Sequence, residues 1–269
     1  MTNNNLPLDR KHTDFEQLKD LLALDQQISI TPDARESIKK CREYLDKKMS
    51  NANALFYGIN TGFGYLQNVR IDDAQLEQLQ SNLLQSHACG LGEVVPNDIV
   101  KLMIAFKIKS LSYGHSGVQL ETVNRLVDMY NENVLPVIFT QGSLGASGDL
   151  APLSHLSLPL IGLGEVCHNG IKYPTEVVLD ELDWEPIHLK SKEGLALING
   201  TQFMSAYGIH NLIQAERLMN WANIIAAISF DAFDCVADPL NEHIHAVRSH
   251  NGQVSVARKL RELLAGSSI

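Results

Sequence analysis

The sequence predicts a mainly α-helical protein: a helical N-terminal domain carrying one small β-hairpin, followed by the start of a long-helix bundle. Three observations predict it. Apolar residues recur at helical spacing as far as Tyr130. One Asn-Gly pair sits between two short strand-like runs. From Gln202 to Asp234 there is no proline and a single glycine.

The first helix signal is Thr31-Pro32-Asp33, an N-cap followed by proline in the first turn. Ala34, Ile38, Cys41 and Leu45 then mark one face. Leu76, Leu79 and Leu83 mark a second helix, with Gly90 as its expected C-cap. Asn97, after Pro96, is the expected cap of a third helix through Val100, Ile104 and Ile108. Leu120, Val123, Val127 and Tyr130 mark a fourth. Glu165–His168 and Ile171–Tyr173 flank Asn169-Gly170, which suits a type I′ hairpin. Trp184 to Lys192 reads as a surface connection.

The stretch from Gln202 is long enough for a helix of roughly 45 Å. Its apolar residues, among them Phe203, Met204, Leu212, Leu218, Trp221, Ile225 and Ile228, lie on more than one face. Such a helix is usually buried in a bundle or an oligomer core. Gly252 to Leu264 reads as a further helix. Residues 1–200 therefore form the expected N-terminal domain, and residues 201–269 the beginning of the bundle. Few helices remain to complete that bundle. Either other subunits complete it, or the chain is shorter than its natural form.

The chain has 269 residues with a formal net charge of −9, which argues against a nucleic-acid-binding surface and suits a small-molecule substrate. Cys41, Cys89, Cys167 and Cys235 are widely spaced, without a CxxC pair. Reduced cytoplasmic thiols are expected rather than a disulfide framework or a zinc site. The N-terminus lacks the apolar core of a signal peptide. The most apolar window, Ala222 to Phe230, is too short to cross a membrane. His243, His245 and His250 beside Glu242 have a metal-like spacing. They are expected to be solvated surface histidines, with no metal.

Ala146-Ser147-Gly148, inside Gly142 to His155, carries the most chemistry. Taken alone it has the composition of a loop. Neither the Gly-x-Ser-x-Gly spacing of a hydrolase elbow nor the lysine of a phosphate loop is present. Three small residues do allow a tight fold, in which the Gly148 nitrogen attacks the Ala146 carbonyl carbon. Loss of one water closes a five-membered ring. Loss of the Ser147 hydroxyl as a second water leaves a methylidene. The product, 4-methylideneimidazol-5-one, is an electrophile built from the chain.

Three other segments draw attention. Tyr57 to Gly64 is a glycine-spaced loop that could approach a ligand, or a surface turn. His87 lies at a helix end, where the helix dipole alone would justify a histidine. Asn199 follows the apolar run from Gly194 and reads as an N-cap of the long helix.

Together, in this order, the four segments resemble the aromatic amino acid ammonia-lyases, the family of histidine and phenylalanine ammonia-lyases. Gly142 to His155 matches the family signature. Tyr57 to Gly64 matches its tyrosine loop, and Leu195 to Thr201 its asparagine segment. Ser86-His87 has the histidine-lyase form of the selectivity position, a form that some bacterial tyrosine lyases share.

The resemblance implies non-oxidative deamination of L-histidine to trans-urocanate and ammonia. It implies a 4-methylideneimidazol-5-one formed autocatalytically from Ala146, Ser147 and Gly148, Tyr57 as the base for the β-proton, and Asn199 as a hydrogen-bond donor or acceptor to the ring or the amine. His87 is expected to contact the substrate imidazole, and Asp149 to cap a short helix whose positive end faces the ring. A homotetramer is implied as well. Family members are longer, with a Gln–Tyr–Arg segment and a catalytic glutamate that have no counterpart here, so the chain is expected to be an N-terminal part. The alternatives are a non-catalytic truncated or subunit form, or a tyrosine or phenylalanine ammonia-lyase.

Overall fold

The computed structural model describes residues 5–23, 25–50, 55–62, 65, 68–72, 75–144, 148–248 and 250–267. Ala146 and Ser147, with Gly145, Phe63 and Gly64, lie outside the described residues. The chain divides into two compact units, residues 1–209 and 210–269.

The first unit opens with β1 (Asn5–Leu8) and α1 (Phe15–Asp20), then β2 (Gln27–Ile30), which pairs in parallel with β1. Helix α2 (Pro32–Ser50) starts where Thr31 Oγ1 accepts from the Ala34 amide at 3.4 Å. Its Ala34, Ile38 and Leu45 are buried, as their spacing requires. Helix α3 (Leu76–His87) leads into β3 (Leu91–Val94). Gly90 does not cap α3. Ala88 does, and the space that Gly90 leaves open is filled by the His155 ring, whose Nε2 accepts from the Gly90 amide at 3.0 Å.

Helix α4 (Asn97–Leu111) is the central helix and is buried on most sides. Asn97 is its first residue rather than its cap. The Asn97 side chain donates to Cys167 Sγ at 3.4 Å, which takes it away from the helix end. Helix α5 (Leu120–Asn131) buries Val123, Val127 and Tyr130, the face expected of it. Strand β4 (Leu135–Pro136) and β5 (Phe139–Gln141) come next; β5 pairs with β3. Helix α6 (Leu150–Ser157) then runs into a 3-10 turn over Leu158–Ile161.

The expected hairpin is β6 (Glu165–His168) and β7 (Ile171–Pro174), and β4 extends it to three strands. Asn169 and Gly170 both have positive φ, 51° and 77°, as a type I′ turn demands. After α7 (Thr175–Glu181), the connection through residue 192 is not purely superficial. Ile187 and Leu189 are buried, and the Ile187 amide donates to Leu160 O at 2.7 Å. Helix α8 (Glu193–Ile198) follows, and then the long helix α9 (Gln202–Ala232) begins.

Most of α9 belongs to the second unit, with α10 (Glu242–Ala246) and α11 (Asn251–Leu264). This unit has a small core of Ala227, Leu240 and Leu260. Within the single chain the apolar faces of α9 are not covered as expected. Leu218, Trp221, Ile225 and Ile228 are all more than half exposed. The ring nitrogens of His245 lie against Pro239 O at 3.0 Å and Gln253 Nε2 at 2.8 Å.

Candidate active site

Helices α3, α6 and α8 pack on one another. His87 closes α3, Gly148 and Asp149 precede α6, and Asn199 closes α8. The packing therefore brings three of the segments singled out in the sequence to one part of the first unit.

The tightest junction is between backbones. Gly148 forms an isolated parallel bridge with Gly200. The next amide, Asp149 N, donates to Gly200 O at 3.0 Å. Gly148 has φ of +89°, and a Cβ built there would stand 2.2 Å from Gly200 O. Both its conformation and its surroundings exclude a side chain.

Asp149 is 1% exposed. It occupies the N-cap position of α6, but its carboxylate makes no bond to that helix. Oδ1 accepts from Ser143 Oγ at 2.7 Å, and Oδ2 accepts from the Met204 amide at 3.1 Å. The expected cap of α6 is thus corrected: the side chain caps the first turn of α9 instead, placing negative charge at that helix's positive end. Asn199 is corrected in turn. It is the C-cap of α8, with extended backbone, and its Nδ2 reaches back to Leu195 O at 3.3 Å. The cap it was expected to supply comes from Asp149.

Lys107 was not singled out in the sequence. It is 0% exposed on α4, with Nζ donating to Asn199 O at 2.9 Å and Ala196 O at 3.3 Å. These are carbonyls at the end of α8, which the helix itself leaves without partners. Burial pushes the lysine down to about 7, a shift opposed by the negative charge of Asp149. The signal was available: Lys107 is one helical turn from the buried Met103 and Leu111, on an apolar face.

Glu193, at the other end of α8, is also fully buried. It accepts from the Gln119 amide at 2.8 Å, Gln119 Nε2 at 2.7 Å, Thr122 Oγ1 at 2.6 Å and the Lys190 amide at 2.8 Å. A short helix of weak intrinsic stability is thereby held at both ends by buried ionisable side chains.

The His87 ring is half-buried, with Nδ1 2.9 Å from Leu83 O. A carbonyl can only accept, so this contact places a proton on Nδ1, and in the neutral ring it leaves Nε2 as the acceptor. Tyr57 is 56% exposed on a turn. That turn is folded around buried Asn60 and Thr61: Asn60 Oδ1 accepts from the Phe56 amide at 2.6 Å, and Thr61 Oγ1 from the Gly58 amide at 3.3 Å. The Gly200 and Asn199 carbonyls are held by the Asp149 amide just before α6 and by Lys107 of α4.

Residues 13–269 match the aromatic amino acid lyase family, and the chain belongs to it. Within that family it is 44% identical over 264 residues to the histidine ammonia-lyase of Staphylococcus aureus (strain bovine RF122 / ET3-1), covering 98% of this chain and 52% of the relative. Among solved structures it is similar to the histidine ammonia-lyase from Trypanosoma cruzi, with 38% identity, a TM-score of 0.87, and coverage of 96% of this chain and 50% of that one. It is also similar to the tyrosine aminomutase from Streptomyces globisporus, with 31% identity, a TM-score of 0.89, and coverage of 97% and 49%. The chain spans about half the length of the curated relatives it matches. Among the described residues, no helix is long and apolar enough to cross a membrane.

Proposed function

We propose that this chain forms the electrophile-bearing part of a histidine ammonia-lyase, which eliminates ammonia from L-histidine to give trans-urocanate. The observation that carries the reading is the Gly148–Gly200 junction. It gives the third residue of Ala146-Ser147-Gly148 a positive φ and no room for a Cβ, and it sets that residue beside Asn199. The residues present fit a 4-methylideneimidazol-5-one built from Ala146, Ser147 and Gly148. Once formed, that group supplies the electrophilic carbon that ordinary side chains lack.

The remaining work falls to side chains. Tyr57, on its exposed turn, removes the β-proton of the substrate. His87 turns Nε2 toward the substrate and accepts the imidazole N–H. A fixed Nδ1–H tautomer favours a histidine-like ring over a phenyl ring, which has no proton to offer. Asn199 gives its Nδ2 to Leu195, so its Oδ1 is available to the substrate ammonium. Its carbonyl, held by Lys107, keeps that amide in place, a preorganised dipole of the kind that stabilises developing charge. The substrate is a small amino acid. The assembly is a homo-oligomer, a tetramer by the resemblance, in the cytoplasm.

Intact mass and turnover test the reading together. The purified chain should weigh two waters less than its sequence, and urocanate absorbance should rise when L-histidine is supplied to the assembled enzyme. L-Tyrosine and L-phenylalanine run in parallel decide substrate class. The similarity to a tyrosine aminomutase makes tyrosine the rival. A full sequence mass with no turnover of any of the three amino acids would sink the proposal.

A further inference from the structure

We propose that Lys107 is a positioning residue for ring closure: from inside the core its amine holds the Asn199 carbonyl, and with it the Gly200 backbone against which Gly148 is set. The inference rests on the proposed ring at Ala146-Ser147-Gly148.

Residues 199–204 are tied down at three successive points. Lys107 Nζ donates to Asn199 O at 2.9 Å. Asp149 N donates to Gly200 O at 3.0 Å. Met204 N donates to Asp149 Oδ2 at 3.1 Å. The last two ties come from the residue directly after Gly148. Lys107 supplies the first from another helix, α4, on the far side in sequence. The carbonyl it holds belongs to the residue before Gly200, so its loss frees one side of the junction while Asp149 still holds the other.

A plain core role does not account for this residue. An apolar side chain would fill the same space without the cost of dehydrating an amine. The last carbonyls of a helix have no partner within it. At the part-buried end of α8, a long flexible donor rooted in the core reaches two of them at once. The group does not touch the reacting atoms. It acts through Asn199 and Gly200. Ring closure needs the Gly148 nitrogen against the Ala146 carbonyl, and a misplacement of about 1 Å can slow such a reaction on the order of a hundred-fold.

The test uses the full chain as wild type, Lys107→Met, Lys107→Gln and Met103→Ala. The last removes an equally buried side chain one turn earlier on α4. Intact mass is followed over time after synthesis, and hydrogen exchange is measured at residues 199–201. Lys107→Met should fold, lose its two waters on the order of a hundred-fold more slowly, and exchange faster at residues 199–201. Lys107→Gln, which keeps a donor, should recover part of both. Met103→Ala should cyclise at the wild-type rate.

Cyclisation of folded Lys107→Met at the wild-type rate overturns the proposal, as does equal slowing in Met103→Ala. If neither Lys107 variant folds, the residue serves folding and the proposal also falls. If the wild type itself never loses water, the ring reading has failed and this inference fails with it. Hydrogen exchange then still reports whether Lys107 holds the 199–201 backbone, so the two failures are told apart.

Discussion

Gly148 tolerates no side chain, for two independent reasons. Its φ of +89° is unfavourable to any other residue, and a Cβ would lie 2.2 Å from Gly200 O. Gly148→Ala should cost about 1–3 kcal/mol in strain and leave the chain at full sequence mass. A urea titration and an intact mass check both halves. Lys107 yields a pH prediction. Its folded value near 7 lies below the ordinary lysine value of 10.5, so between these the unfolded chain holds a proton that the folded chain has released. Stability therefore rises with pH across that window and is flat on either side. The urea midpoint of wild type, taken relative to Lys107→Met, should increase from pH 7 to pH 9. A difference that stays constant would contradict it.

At the scale of elements, α8 carries Asn199 into place although it is only a 6-residue helix. Helices this short are marginal by themselves. Its seat comes from Glu193 at one end and Lys107 at the other. Glu193→Gln would turn an amide NH2 toward groups that are all donors, leaving at least one of them without an acceptor. The expected loss is about 3 kcal/mol, read by chemical denaturation, with exchange accelerated at residues 193–199. An unchanged midpoint would mean that the buried carboxylate is not what holds α8. The same scale explains the misassigned caps. Asn97, Asp149 and Asn199 all stand where a sequence reading places helix caps. Asn97 and Asp149 turn their side chains to partners from other elements, and Asn199 turns back to Leu195 of the helix it closes.

For the whole molecule, the informative surface is α9. Leu212, Leu218, Trp221, Ile225 and Ile228 are each more than half exposed in the second unit. Full burial of side chains of this size contributes about 1.5–3 kcal/mol apiece. Leu218, Trp221, Ile225 and Ile228 share one face of the helix, and an apolar face so exposed marks an interaction surface. The chain should therefore self-associate, and Ile225→Glu should shift sedimentation toward smaller species without changing helix content. Identical sedimentation of the two proteins at all concentrations would refute this.

Local pattern and local chemistry were legible in the sequence. The mainly helical class, the Asn169-Gly170 hairpin and the long helix from Gln202 each depend on residues close together in the chain. Periodicity and turn chemistry report such features directly. The four segments, taken jointly, were enough for the family. The tertiary structure alone decided which helix ends meet. It set Gly148 on Gly200, sent the Asp149 carboxylate to α9 and drew Lys107 from α4 to the end of α8. These contacts join residues 52 to 92 positions apart. No local pattern encodes them, because a side chain's partner is chosen by the packing of whole helices and not by its neighbours in sequence.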